Sequence, residues 1–402
     1  MSRPFDSRRI LLGVTGGIAS YKSAWIARLL TQAGAEVDVV LTRSAAEFIG
    51  SVTFEALTGR PVHSALIAPG HALDHIRLAR TAHAVVVAPA TADFISRAAA
   101  GRADDLLSAC LLATEAPVLI VPAMNDRMWA HPQTAANVAH LARLGYRILE
   151  PDEGPLAVGE GSGPGRMPEP GTVLAHAGRM LEPGGALTGR RIVVSAGPTR
   201  EAVDPVRYLS NRSSGKMGVA IASAAWRRGG DVTLIAGPLT VAEPIGVTMK
   251  RVESTEEMRD AVAASIADAD LLVMAAAPAD FRPRAPASGK IKKAAAPDRL
   301  ELETTPDILV STRDRRASGM IAVGFALETD DVIANARSKL VAKDLDIVVA
   351  NDATEPGAGF GVDTNRISLI ARDGSVEVLP LLSKHEVADA ILDRVEGLLR
   401  GR

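Results

Sequence analysis

Arg8-Arg9-Ile10-Leu11-Leu12-Gly13-Val14 runs into Thr15-Gly16-Gly17-Ile18-Ala19, and Arg190-Arg191-Ile192-Val193-Val194-Ser195 runs into Ala196-Gly197-Pro198-Thr199. Each is a short apolar run closed by a glycine turn, the pattern of a strand buried on both faces. A helical period and a second apolar strand follow in both cases: 20–33 and 36–41 in the first half, 216–228 and 231–236 in the second. Further strands are expected at 84–88, 118–121 and 147–149 (an edge), and at 271–275, 321–324 and 347–350. Further helices are expected at 91–100, 104–113, 132–144, 255–267, 330–343 and 384–399, with a terminal hairpin of 367–371 and 376–379 around Asp373-Gly374. Strands alternating with helices make an α/β protein whose parallel sheets are covered on both faces.

A chain of 402 residues is long for one such domain and comfortable for two of about 200. We place them at 1–186 and 187–402, with Leu181-Glu182-Pro183-Gly184-Gly185 as the joint. Residues 151–170 are crowded with Gly and Pro and too long for an ordinary βα connection, so they read as a functional flap or a disordered segment. Aromatic residues make up only 3%, which leaves little stacking surface for single-stranded nucleic acid. A net charge of −2 gives no global field for polyanions or membranes. One cysteine, Cys110, excludes an internal disulfide and suits a reducing cytosol. The apolar run Ile10–Val14 ends at glycines, so no signal-peptide h-region is expected, and without an apolar run of about 18 residues no membrane span is expected. The expectation is a cytoplasmic protein with no nucleic-acid or membrane partner.

Thr15-Gly16-Gly17-Ile18-Ala19 stands where a strand meets a helix, a place where free N–H groups can meet an anion. Taken alone it is as readily a tight βα turn with no ligand. Other strand ends carry Thr42-Arg43-Ser44, Pro89-Ala90-Thr91-Ala92-Asp93 and Pro122-Ala123-Met124-Asn125. All fall at carboxyl ends of parallel strands, where open α/β sheets bind ligands, although Thr91 or Asp93 could simply cap the next helix.

The set GGIA with Tyr21-Lys22, Leu73-Asp74-His75-Ile76, PATAD at 89–93, ADDLLS at 103–108 and PAMNDRMWAHP at 122–132 resembles the homo-oligomeric flavin-containing cysteine decarboxylases. The resemblance implies a flavodoxin-like sheet and an FMN site at Gly16, Gly17, Ile18, Thr42, Pro89, Ala90, Thr91 and Asp93. It makes His75 the base and Asn125 the holder of the substrate carboxylate, with Gly16, His75 and Asn125 converging on one flavin ring. A flavin suits a decarboxylation with no net redox change, because oxidising the substrate thiol creates the missing electron sink. A neutral imidazole is a suitable base at pH 7. The family's flap carries a cysteine that returns a proton, and Leu156-Ala157-Val158-Gly159 puts Val158 there. Water or another acid such as Glu160 then finishes the reaction, or this half turns over poorly.

In the second half, Ser210-Asn211-Arg212-Ser213-Ser214-Gly215-Lys216 enters a helix with hydroxyls, glycine and lysine, an anion site without Walker A spacing. A dehydrogenase-like loop is the rival reading. Lys290, Lys292 and Lys293 form one basic run, and Lys339 and Lys343 share a predicted helix face, a repulsive spacing without a counter-anion. The stations SAGPTRE, DPVRYLSNRSSGKMG, AAAPAD, KIKK, TPDIL, VGFALET and IVVAND, in that order, are similar to the bacterial phosphopantothenate–cysteine ligases. That resemblance implies a Rossmann-like domain that turns phosphopantothenate into an acyl-cytidylate with CTP and Mg2+ for attack by L-cysteine. It places CTP at Ala275, Ala276, Asp280, Lys290, Thr305, Pro306, Asp307, Ile308, Phe325, Lys339 and Lys343. Asn211 acts at the acyl-cytidylate stage and Lys290 in its formation; metal ligands are not assigned.

Together the two resemblances imply consecutive steps of coenzyme A synthesis in one chain, with a trimeric first half whose site neighbours share and a dimeric second half. The alternatives are a flavin-binding regulatory scaffold fused to an active ligase, and an NAD-dependent oxidoreductase. The last needs a GxGxxG turn and an acidic ribose clamp, which neither half combines.

Overall fold

β1 (Arg9–Val14) and β9 (Arg191–Ala196) each stand at the heart of a separate parallel sheet. A computed structural model of the chain describes all residues except 1–3, 68, 71, 183, 293–298, 353, 356, 358, 360 and 402. It divides into one unit of residues 1–182 and another of 183–402. Pro183 of the expected joint and Lys293 of the basic run lie outside the described residues.

In the first unit β1 leads through α1 (Ser20–Gln32) to β2 (Glu36–Leu41). Then come α2 (Arg43–Ala46), α3 (Ser51–Thr58), β3 (Val62–His63) and α4 (Asp74–Thr81). β4 (Ala84–Ala90), α5 (Ala92–Ala99), α6 (Leu106–Ala113) and β5 (Val118–Pro122) follow. The unit continues with α7 (Asp126–Trp129), α8 (Pro132–Arg143), β6 (Arg147–Ile148), the hairpin β7 (Asp152–Pro155) and β8 (Ser162–Arg166), and α9 (Pro170–Leu181). The six-stranded order is β3-β2-β1-β4-β5-β6. Without the two-residue edge β3 this is the flavodoxin order, and the switch point falls between β1 and β4. Both faces of the sheet are covered: Ile10, Leu12 and Val14 pack with α1 and α9 residues, while Leu11, Val85 and Val87 pack with Phe94, Leu107 and Cys110. Each such fully buried side chain contributes roughly 1.5–3 kcal/mol.

Burial pushes the Cys110 thiol up to about 12. The reactive form is the thiolate, which is scarce well below that value. The native protein at pH 8 is therefore expected not to react with a thiol reagent, and to release one equivalent of thiol on denaturation. Prompt labelling of the folded chain would contradict this.

The second unit adds β10 (Arg200–Ala202), β11 (Tyr208–Ser210), α10 (Lys216–Arg227), β12 (Asp231–Ala236), β13 (Thr248–Arg251) and α11 (Thr255–Ala263). Then come β14 (Leu271–Met274), β15 (Phe281–Pro283), β16 (Leu302–Thr304), α12 (Ile308–Ser311) and β17 (Ile321–Glu328). It ends with α13 (Val332–Ala342), β18 (Ile347–Asp352), β19 (Thr364–Asn365), β20 (Ser368–Ala371), β21 (Val376–Val378), β22 (Leu382–Ser383) and α14 (Lys384–Arg400). Its sheet runs β13-β12-β9-β14-β17-β18-β20-β21. The first six strands are parallel in the Rossmann order, and the terminal hairpin adds two antiparallel strands at one edge.

Local differences from expectation have local causes. The flap of 151–170 contains the hairpin β7–β8, with glycines at 154 (φ +156°) and 165 (φ +145°) taking backbone that side chains avoid. α9 begins with Pro170 at its first turn, a start signal that composition obscured. α5 starts one residue later than expected because Thr91 caps it, its Oγ1 accepting from Phe94 N–H. α13 starts at Val332 because Asp331 is left-handed (φ +42°). Asp280 caps no helix and leads directly into β15.

Candidate functional site

The first cavity opens at the β1/β4 switch point and measures about 430 Å3. Thr15 ties its two main loops: its hydroxyl donates to the Pro89 carbonyl (2.8 Å) and accepts from Thr91 N–H (3.1 Å). Ser20 Oγ donates to the carbonyls of Thr15 (3.0 Å) and Gly17 (2.6 Å), and Ser23 Oγ to that of Ala88 (2.6 Å). The turn is therefore held rigidly. A Cβ on Gly16 would lie 2.3 Å from Ser44 Cβ, so this glycine is required by packing. A Cβ on Gly17 would meet only the Thr91 methyl, at 3.7 Å. Among the described residues, the N–H groups of 16–19 donate to no protein acceptor, and the 13-residue α1 begins directly after them. Free N–H groups ahead of a helix are suited to a phosphate.

The opposite wall comes from the Met124-Asn125 turn and the flap. Met124 N–H donates to the Gly165 carbonyl (3.0 Å), and a Cβ on Gly165 would lie 2.2 Å from Met124 O, so only glycine permits this seat. Lys22 is buried and donates to the Met167 carbonyl (2.7 Å) and to Glu169 (3.0 Å), which also takes Arg166 (2.5 Å). These cations hold the Glu169 carboxyl below its ordinary range, the Lys22 hydrogen bond first. Asn125 Oδ1 accepts from Arg127 N–H (2.9 Å), which leaves its amide Nδ2 free to donate.

Gly16, Gly17, Ile18, Pro89, Thr91 and Asn125 thus line one cavity. The other expected members do not. Thr42 is buried and spends its hydroxyl on capping α2, Ala90 is buried inside β4, and Asp93 is exposed and paired with Arg97 (3.0 Å). His75 stands furthest from the expected arrangement: in a single chain it does not line this cavity. It stands on α4 in another depression of about 420 Å3 with Leu66, Ile67, Ala72, Ala103 and Leu112. Its Nδ1 is buried with no hydrogen-bond partner, while Ile67 and Leu112 beside it are 88% and 56% exposed. Tyr21, Lys22, Arg166 and Met167 also line the cavity and were not among the expected site residues.

The second cavity, about 320 Å3, lies beyond the carboxyl ends of β14, β17 and β18. Asn211, Ala275, Ala276, Asp280 and Phe325 line it, as expected. Asn211 Nδ2 donates to the carbonyls of Ala277 (3.1 Å) and Pro278 (2.9 Å), fixing its amide against the loop that carries Asp280. Gly215 (φ +80°) leads into α10 with no side-chain cap, and a Cβ there would strike Leu239 at 2.3 Å. Gly218 lets α10 approach β9, where a Cβ would lie 2.6 Å from Ser195 O. Lys216, from the helix start read as an anion site, also faces this cavity, as do Asn351 and Lys384, which were missed. Lys216 pairs with Asp363 (2.6 Å), and Lys384 donates to the Gly359 carbonyl (3.1 Å). Burial first, and then Lys216, lower the Lys384 pKa.

Lys290, Thr305, Pro306, Asp307, Ile308, Lys339 and Lys343 do not line it. Thr305 is hydrogen-bonded next to it, through N–H to Asp280 O (3.0 Å) and Oγ1 to Ala279 O (2.6 Å). Asp307 caps α12 and pairs with Lys343 (2.8 Å), while Lys339 pairs with Glu328 (2.6 Å). The two lysines are therefore not an unpaired cationic face: each has a carboxylate, and α13 ends at Ala342. Lys290 is exposed. Among the described residues no three His, Cys, Asp or Glu side chains form a metal cluster.

Residues 1–180 match the family model described as Flavoprotein, and residues 187–398 match that of the DNA/pantothenate metabolism flavoprotein C-terminal domain. The coenzyme A biosynthesis bifunctional protein CoaBC of Mycolicibacterium smegmatis is 46% identical over 410 residues, covering 98% of this chain and 99% of the relative. That of Vibrio cholerae is 45% identical over 389 residues, covering 96% and 97%. A crystal structure of the C-terminal domain of such a protein is 38% identical and covers 55% of this chain and 100% of its own, with a TM-score of 0.46.

Proposed function

The chain belongs to the family of coenzyme A biosynthesis bifunctional proteins, and from that premise we propose how its residues divide the work. It is an enzyme with ligase and decarboxylase activities. The second unit joins 4′-phosphopantothenate to L-cysteine using CTP, through an acyl-cytidylate. The first unit decarboxylates 4′-phosphopantothenoylcysteine to 4′-phosphopantetheine with FMN. The observation that carries the reading is the rigid glycine turn with free N–H groups, facing Asn125 and the flap across one cavity.

FMN, when bound, supplies a reversible two-electron store. The free N–H groups at 16–19 are suited to its phosphate, and Ile18, Met124, Met128 and Leu156 offer apolar wall to a flat ring. The free Asn125 amide N–H groups would hold the substrate carboxylate. His75, the base, would come from a neighbouring copy; its separate depression and the exposed Ile67 and Leu112 support a shared site in a trimer.

In the second unit, Asn211 would act on the acyl-cytidylate and Lys290 in its formation, with Ala275, Ala276, Asp280 and Phe325 against the nucleotide. Thr305–Ile308, Lys339 and Lys343 would complete the CTP site from beside the cavity, in a dimer. Mg2+ would take its ligands chiefly from the triphosphate, as this ion commonly does, with Asp280 as the nearby carboxylate. We place the enzyme's work in the cytoplasm. Among the described residues no helix is long and apolar enough to cross a membrane.

Purified protein is expected to be yellow, and to convert CTP, cysteine and phosphopantothenate into CMP, pyrophosphate and CO2. A colourless protein that still ligates would leave only the second assignment standing.

A further inference from the structure

We propose that Glu160 is the acid that returns a proton to the substrate carbon after CO2 has left, an inference that rests on the decarboxylase reading of the first cavity. Among the described residues Glu160 is the one carboxylate lining that cavity. The two wall cations, Lys22 and Arg166, are both engaged by Glu169, whereas Glu160 makes no ion pair. Its position comes from the flap turn. Leu156 N–H donates to Gly161 O (3.0 Å) and Glu160 N–H to Ala157 O (2.9 Å), with left-handed glycines at 159 (φ +89°) and 161 (φ +83°) on either side. The turn leaves Val158 at its tip wholly in solvent, at 106% exposure, and sets Glu160 in the wall with Leu156 and Ala157.

The reaction needs such a group. With FMN bound as the two-electron oxidant, the CH2–SH of the substrate would give up a hydride and a proton and become a thioaldehyde. Loss of CO2 then puts the pair from the broken carbon–carbon bond into an ene-thiolate. The carbon that lost CO2 takes a proton from the Glu160 carboxyl, which restores a thioaldehyde, and the returning hydride with a solvent proton yields the thiol. Water reprotonates Glu160, so the net change is one proton consumed and one CO2 released.

The test uses the full chain loaded with FMN and given phosphopantothenoylcysteine. E160Q is expected to keep its flavin and release CO2 in the first turnover, while phosphopantetheine formation slows by at least about a hundredfold. The acid-quenched mixture should then contain the ene-thiol, lighter than phosphopantetheine by two hydrogens. Wild-type phosphopantetheine formation by E160Q without the ene-thiol overturns the proposal, since water would then suffice. So does accumulation in Tyr21→Phe but not in E160Q, because Tyr21 carries an exposed hydroxyl on the same wall. Should E160Q lose its flavin, Glu160→Ala decides: a flavin-loaded E160A that forms phosphopantetheine without accumulating ene-thiol also overturns it. If the wild-type chain itself releases no CO2, the decarboxylase reading fails instead.

Discussion

Replacing His75 by asparagine lowers CO2 release from phosphopantothenoylcysteine by about 10²–10⁴-fold, the usual contribution of a general base, and leaves amide formation unchanged. Asn125→Ala has the same selective effect. The informative experiment combines them. His75 and Asn125 lie on different cavities of one chain. If a site takes its Asn125 from one copy and its His75 from the next, co-expressed H75N and N125A chains form some intact sites. In a trimer assembled at random from equal amounts, roughly a quarter of the sites are intact by symmetry. Decarboxylation in the mixture should recover towards that fraction, although each variant alone is inactive. Mixed assemblies as inactive as their parents would show that the site is not divided in this way. Equal loss of ligation in H75N would place His75 outside the decarboxylase.

In the ligase, Asn211→Asp and Lys290→Gln are expected to separate two half-reactions. Asn211 is fixed by donating to two carbonyls, and a carboxylate in its place cannot donate and would face both oxygens. Acting at the acyl-cytidylate stage, the variant should still release pyrophosphate from CTP and phosphopantothenate while amide formation falls by about 10²–10³-fold, the loss seen when a preorganised donor is removed. Lys290→Gln should suppress pyrophosphate release itself. Pyrophosphate measured with and without cysteine distinguishes the two, and identical profiles would remove the division of roles. Decarboxylation of supplied phosphopantothenoylcysteine should be untouched in both.

The parts of this protein legible in its sequence are those set by short-range physics. Apolar runs ending at glycine marked β1 and β9, and the strand ends that follow them hold most of the expected ligand residues. Gly16, Gly17, Pro89, Thr91 and Asn125 could be grouped because parallel strands bring their carboxyl ends to one edge of a sheet. Asp93 misled because its position at a strand end says nothing about a competing partner, and Arg97 one helical turn on takes its carboxylate. For Lys339 and Lys343 the helical spacing likewise gave no sign of partners, which Glu328 and Asp307 supply from other elements.

What the sequence by itself determined was two α/β units, the turns at their switch points and a minority of the residues on each cavity wall, because strand period and glycine conformation act over a few residues. Only the tertiary structure decided which charged groups face the cavities. Lys22 meets Glu169, and Lys216 meets Asp363, each across 147 positions of chain. It also decided that His75 sits apart from the flavin wall and that Val158 points to solvent while Glu160 lines the cavity. Such placements depend on how distant segments pack and which charges they bring together, and no local period encodes that.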